Sequence, residues 1–173
     1  MKIILAEIER PCGQASFLKT ALSRAFNAEV EVLKRPLRAD YAHFHTARGQ
    51  WDAALLLGWL AELFSKHRGV LVVGLFPYDI FAAGRRRVFG VAENNGRTAL
   101  VSYHSMDPSL HGKPDEELLR RRLFKKCVHE IGHLLGLDHC ARRSCVMNQA
   151  RNLMFLDRKS AGFCPRCRSM LLI

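Results

Sequence analysis

The segment His129-Glu130-Ile131-Gly132-His133-Leu134-Leu135-Gly136-Leu137-Asp138-His139 carries residue types that hold a metal ion and move a proton. His129 and His133 are four apart, so on a helix their imidazoles share one face and can bind one zinc ion. Glu130 follows the first of them. In this arrangement it is not a ligand, and its carboxylate can serve a metal-bound water as general base. Gly136 accounts for the third histidine. A continued helix would carry residue 139 roughly 9 Å along the axis beyond residue 133. Glycine can take a left-handed backbone, end the helix and turn the chain back, so that His139 completes the set. Three neutral nitrogens leave a fourth position open, the geometry of catalytic zinc.

A second group begins at the next residue. Cys140, Cys145, Cys164 and Cys167 form C-x4-C…C-x2-C, a four-thiolate zinc pattern. Adjacent side chains in extended chain point oppositely, so His139 and Cys140 should serve different metals. Four thiolates leave no open position, and this second zinc is structural. The expectation is two Zn²⁺ per chain. Four buried thiols or two disulfides are the other uses of these residues. A zinc ribbon touching phosphates through Arg158, Lys159, Arg166 and Arg168 would be an added role.

The elements that must position these groups are legible in outline. Lys2–Ile8 reads as a strand, Ser16–Phe26 as a helix and Glu29–Leu33 as a half-buried strand. Residues 36–48 read as a polar connection, Trp51–His67 as a second helix and Gly69–Leu75 as a strand buried on both faces. This β-α-β-α-β order implies an α/β fold with an at least partly parallel sheet. Residues 87–92 and 98–104, joined through Asn95-Gly96, read as an antiparallel hairpin at one edge. Pro114 then opens a long helix as its first residue, with Glu116–Arg120 and Glu117–Arg121 pairs, running to Leu135. The division expected is 1–135, ending in that helix, and 136–173, a small zinc-stabilised subdomain.

At 173 residues the chain suits one domain, and its 49% hydrophobic and 25% charged content excludes disorder. No apolar run approaches the ~20 residues of a membrane span, and Glu7 and Glu9 interrupt the N-terminal apolar stretch too early for a signal peptide. A cytoplasmic protein with reduced thiols is expected. The formal net charge of +11 fits either an acidic partner such as nucleic acid or a solvated surface.

The linked clusters resemble the archaemetzincins, small metzincin-type zinc peptidases with H-E-x-x-H-x-x-G-x-x-H-C-x4-C-x-M and a later C-x-x-C. The positions here are His129, Glu130, His133, Gly136, His139, Cys140, Cys145, Met147, Cys164 and Cys167. The resemblance implies an α+β zincin fold, with a twisted mixed sheet, a long active-site helix and a small zinc-bearing C-terminal part. It makes Met147 the Met-turn residue beneath the catalytic metal. It also implies an antiparallel edge strand, best matched by residues 87–92 with Gly90 for close approach, that binds extended peptide. The function it implies is a zinc metallopeptidase acting on peptides or proteins, with aminopeptidase action as one mode, in a monomer. The competing class is a basic, zinc-stabilised nucleic-acid-binding protein, or a latent metzincin homologue.

The remaining residues read plainly. Cys12 and Cys127 are core thiols. His43, His45, His67, His104 and His111 lack ligand spacing. Arg85–Arg87, and Arg120–Arg122 with Lys125 and Lys126, read as solvated faces. If either set lined the cleft, acidic peptides or a C-terminal carboxylate would be the favoured substrates.

Overall fold

The computed structural model describes residues 1–93 and 96–171. Strands β1 (Lys2–Glu7) and β2 (Glu29–Val32) flank helix α1 (Ala15–Phe26). Short strands β3 (Phe44–His45) and β4 (Gln50–Asp52) lead into α2 (Ala53–Leu63). Then come β5 (Val70–Phe76), β6 (Ile80–Ala82), β7 (Arg85–Val88), β8 (Gly90–Ala92) and β9 (Thr98–Ser102). Helices α3 (Glu116–Leu134), α4 (Leu153–Arg158) and α5 (Pro165–Met170) complete the chain.

The central sheet has the order β2-β1-β5-β9-β8. Its first four strands run parallel, and β8 pairs antiparallel with β9 at the edge. Side chains alternate across it as strand geometry requires. Ile3, Leu5, Val73 and Leu75 face α1 and α3, while Ile4, Ala6, Val72 and Phe76 face α2. Central strands buried on both faces explain the unbroken apolar runs of β1 and β5. On the first face α3 contributes Leu123, Cys127, Val128 and Ile131. The same cluster takes in Leu137, Val146, Met147, Leu156 and Leu171, so residues beyond α3 pack onto the helix that carries His129 and His133.

Several expectations need correcting. The second helix begins at Ala53, because the Asp52 carboxylate accepts hydrogen bonds from Ala54 N and Leu55 N and caps it there. Trp51 lies in β4, buried against Phe44, Phe76 and Tyr78. The expected strand over 87–92 is two strands in two sheets. β7 pairs with β6, whereas β8 pairs with β9, and Phe89 is buried in the core between them. The polar connection at 36–48 holds β3, which joins β4, β6 and β7 in a second sheet of order β3-β4-β6-β7. Helix α3 starts at Glu116, not Pro114, because Asp115 caps it, the carboxylate accepting from Leu118 N. The Glu116–Arg120 and Glu117–Arg121 pairs form as expected, at 3.0 and 3.7 Å. Asn95 of the Asn-Gly turn lies outside the described residues. No helix among the described residues is long and apolar enough to cross a membrane.

Candidate active site

The last two turns of α3 supply the first two histidines. His129 is buried and His133 half-buried, one turn apart. The helix then closes as its sequence requires. Gly136 takes φ +86°, Gly136 N donates to His133 O at 3.0 Å and Leu137 N donates to Gly132 O at 2.9 Å. This paired closure reverses the chain and satisfies carbonyls that a helix end leaves free. His139 comes round to the same face. The three ring centroids lie 4.7, 4.8 and 5.4 Å apart, and each histidine offers a nitrogen within 4.8 Å of the others.

The hydrogen bonds orient two of these rings for a metal. His129 Nδ1 donates to Val146 O at 2.8 Å, and His133 Nδ1 donates to Leu137 O at 2.7 Å. With Nδ1 carrying the proton, each Nε2 keeps its lone pair. Those two Nε2 atoms face each other at 3.1 Å. Two nitrogens bound to one tetrahedral zinc lie about 3.3 Å apart, so a divalent cation fits between lone pairs that otherwise repel. Burial holds the His129 imidazole far below the ordinary histidine range, and partial burial followed by the neighbouring His133 lowers His139. Neutral imidazoles are the form that binds metal.

Glu130 is 2% exposed and forms an ion pair with Lys126, one turn earlier on α3. The edge strand β8 crosses directly above. A Cβ on Gly90 would stand 2.6 Å from Leu100 O, 2.9 Å from Lys126 Cε and 3.0 Å from Glu130 Oε1, so only glycine permits this approach. Below the histidines, Met147 is fully buried. Its Sδ would lie 2.4 Å from a Cβ placed on Gly132, so the thioether rests in the gap left by that glycine.

Two supporting residues were not legible in advance. Lys159 is 3% exposed, and its ammonium donates to Val146 O at 2.7 Å and Asn148 O at 2.9 Å, the carbonyls on either side of Met147. It is therefore absent from the surface where a phosphate contact would need it. Burial pushes its pKa down to about 7. Arg122 pairs with Asp157 through two hydrogen bonds of 2.8 and 2.7 Å and donates to Met106 O, tying α3 to α4. His111, read as a loop residue, lines the cleft with its Nε2 3.1 Å from Ser105 O.

The cysteines gather as a separate group. Cys140 Sγ is 3.9 Å from Cys164 Sγ, and Cys145 Sγ is 3.8 Å from Cys167 Sγ; all four sulfurs lie within 4.8 Å of one another. Four sulfurs about 2.3 Å from one tetrahedral zinc would be about 3.8 Å apart. No two are bonded. Arg142 N and Cys164 N point at Cys140 Sγ and Cys145 Sγ, each at 3.4 Å, as donors suited to thiolates. Cys12 and Cys127 belong to neither group.

The histidines and Glu130 open into a cleft of about 950 Å³. Its lining includes residues 85–92, with β8, and residues 149–153. Of the edge strand expected over 87–92, only Gly90–Ala92 pairs antiparallel with β9 at the edge of the central sheet, where it lines the cleft.

The family model described as peptidase family M54 matches residues 31–172. An archaemetzincin from Methanopyrus kandleri is 38% identical over 143 residues, covering 83% of this chain and 78% of that protein. One from Archaeoglobus fulgidus is 33% identical over 171 residues, covering 99% of each. The crystal structure of the Archaeoglobus fulgidus archaemetzincin, complexed with malonate, superposes with a TM-score of 0.83 at 32% identity, covering 98% of this chain and 99% of that one. A zinc-dependent peptidase from Methanocorpusculum labreanum superposes with a TM-score of 0.88 at 29% identity, covering 99% of this chain and 100% of that one.

Proposed function

The chain belongs to peptidase family M54 and is a zinc metallopeptidase, and from that premise we propose that it hydrolyses peptide bonds with Glu130 as general base and His129, His133 and His139 as ligands of the catalytic zinc. The observation that carries this is the pair of facing Nε2 atoms, 3.1 Å apart, with Glu130 beside them in an open cleft. Zinc held there supplies a Lewis acid that makes a water acidic and stabilises negative charge on the substrate oxygen. Glu130 takes the proton of the attacking water and passes it to the leaving amine nitrogen. Lys126 engages Oε1, which leaves Oε2 as the atom that carries the proton. The open edge of β8 aligns an extended peptide by adding it as a further strand.

In this reading residues 1–135 supply the edge strand, two ligands and the base, while 136–173 supply His139, the Met147 floor and the second zinc. Cys140, Cys145, Cys164 and Cys167 hold that zinc, which is structural. The reading takes the chain as a cytoplasmic monomer, where reduced thiols are available to the metal. It extends to aminopeptidase action, which the products of peptide cleavage identify.

The test combines metal analysis with cleavage of a peptide library. Glu130→Ala should lower turnover by at least about 10²-fold with the zinc content unchanged. Activity retained by that variant in metal-clean enzyme would remove Glu130 from the role. A zinc content of one per chain would remove the second site.

A further inference from the structure

Strand β7 carries three consecutive arginines, and the fold treats the first and last differently. Arg87 is held by the largely buried Asp79 carboxylate, with Nε to Oδ1 at 2.9 Å and Nη2 to Oδ2 at 2.8 Å. Its charge is cancelled where it stands. Arg38, Arg120, Arg121 and Arg122 also meet carboxylates. Arg85 meets an amide instead. With its amide turned so that the oxygen and not the nitrogen faces the guanidinium, the orientation in which donors meet an acceptor, Gln149 accepts from both Nη groups, at 2.7 and 2.9 Å. An amide fixes the guanidinium plane without cancelling its charge, and the remaining N–H donors stay available.

The placement of this pair gives it a use. Arg85 on β7 and Gln149, two residues past Met147, both line the cleft, so their contact is part of its lining. Arg86 and Arg151 also line the cleft, and among the described residues no carboxylate pairs with Arg85, Arg86 or Arg151. The acidic lining residues are Glu130, already engaged by Lys126, and Asp138. A cleft walled by uncancelled guanidinium groups attracts anions and repels cationic peptides.

We infer that this cleft selects peptides bearing a carboxylate near the scissile bond, read by Arg85 as Gln149 presents it, with Arg86 and Arg151 supplying the surrounding positive field. The inference rests on the peptidase reading above. A carboxylate matches the planar guanidinium through paired, charge-assisted hydrogen bonds, which a neutral amide cannot equal. The carboxylate can belong to an Asp or Glu side chain or to the peptide's own C-terminus.

Quenched fluorescent peptides of one sequence test this, differing only in Glu, Gln or Lys at one position beside the cleaved bond and amidated at the C-terminus. A further Gln peptide keeps its free C-terminal carboxylate. The Glu peptide should exceed the Gln peptide in kcat/KM by roughly tenfold, with the Lys peptide slower again. Arg85→Met should bring the Glu peptide down to the Gln level, whereas Arg24→Met, outside the cleft, should keep the preference. A free-acid Gln peptide that matches the Glu peptide supports the inference and assigns the carboxylate to the chain end. Equal rates for every peptide overturn it and leave the peptidase reading standing. Fluorescence anisotropy with Glu130→Gln protein makes the same comparison without turnover. Tighter binding of the acidic peptide supports the inference even if no peptide is cleaved, an outcome that defeats only the peptidase reading. Equal affinities overturn it.

Discussion

Lys159 and His129 share one acceptor: the Val146 carbonyl takes a hydrogen bond from the lysine ammonium at 2.7 Å and from the imidazole Nδ1 at 2.8 Å. The lysine thereby connects α4's C-terminal end, the backbone around Met147 and the first histidine. Its second bond, to Asn148 O at 2.9 Å, grips the far side of the same turn. A buried ammonium costs free energy, so this arrangement is not explained by stability alone.

Lys159→Met separates the two roles. It removes a buried charge, which favours folding, and frees two carbonyls, of which Val146 O keeps its bond from His129. The losses and gains nearly offset, and Tm should move little. The His129 ring loses the fixed position of its acceptor, and catalytic zinc affinity should fall about 10–100-fold, as for other groups that orient a metal-binding histidine. Competition with a graded chelator, read by zinc release, checks this. Unaltered zinc affinity with a lowered Tm would make Lys159 a structural residue only.

Gly132 is the second test. As a helix residue it should gain about 1 kcal/mol on replacement by Ala. The gap it leaves is occupied, however, with Met147 Sδ 2.4 Å and Phe163 Cε1 3.2 Å from the new Cβ. Met147 is fully buried and cannot swing into solvent. Overpacking of this kind costs about 1–3 kcal/mol, so Gly132→Ala should lose about 1 kcal/mol net. Urea unfolding should register a lower midpoint, and Gly132→Ala combined with Met147→Val, which has no δ atom at that point, should recover part of it. A stabilised single variant would show that the floor yields freely.

What the sequence disclosed follows from how many residues encode each feature. Helix α3 is long, its histidines fall four apart and Gly136 marks its end, so the grouping of His129, His133 and His139 was legible from spacing. The grouping of the four cysteines was legible for the same reason. The second sheet was not, because strands of two to four residues carry too few positions to reveal alternation, and by pattern alone Trp51 reads as part of a helix and Arg87–Val88 as part of the strand over 87–92. Lys159 and Arg85 failed for a different cause. Residue type alone does not distinguish a lysine facing solvent from one turned onto two carbonyls, nor an arginine on a carboxylate from one on an amide. Both distinctions depend on chain segments far apart in sequence.

Metal removal should act on the two sites in sequence. His139 is exposed, whereas three of the four cysteines are buried, so a chelator should reach the histidine site first. Activity should vanish in that fast phase with no thiol released. The slow phase should free four thiols, because the cysteine group depends on a cation. The backbone N–H of Cys167 pushes the Cys164 thiol down to about 7, while burial pushes Cys145 and Cys167 up, so the group does not become four thiolates unaided. Cys12 provides the internal control. Burial pushes its pKa up to about 12, so at pH 8 little thiolate is present and alkylation is slow with or without chelator. Its rate should rise about tenfold per pH unit until that pKa is approached, since only the thiolate reacts. Iodoacetamide labelling followed by peptide mapping reads all of these at once. Equal labelling of Cys140, Cys145, Cys164 and Cys167 before and after chelation would remove the second zinc, and loss of hydrogens from that segment without metal would replace it with disulfides.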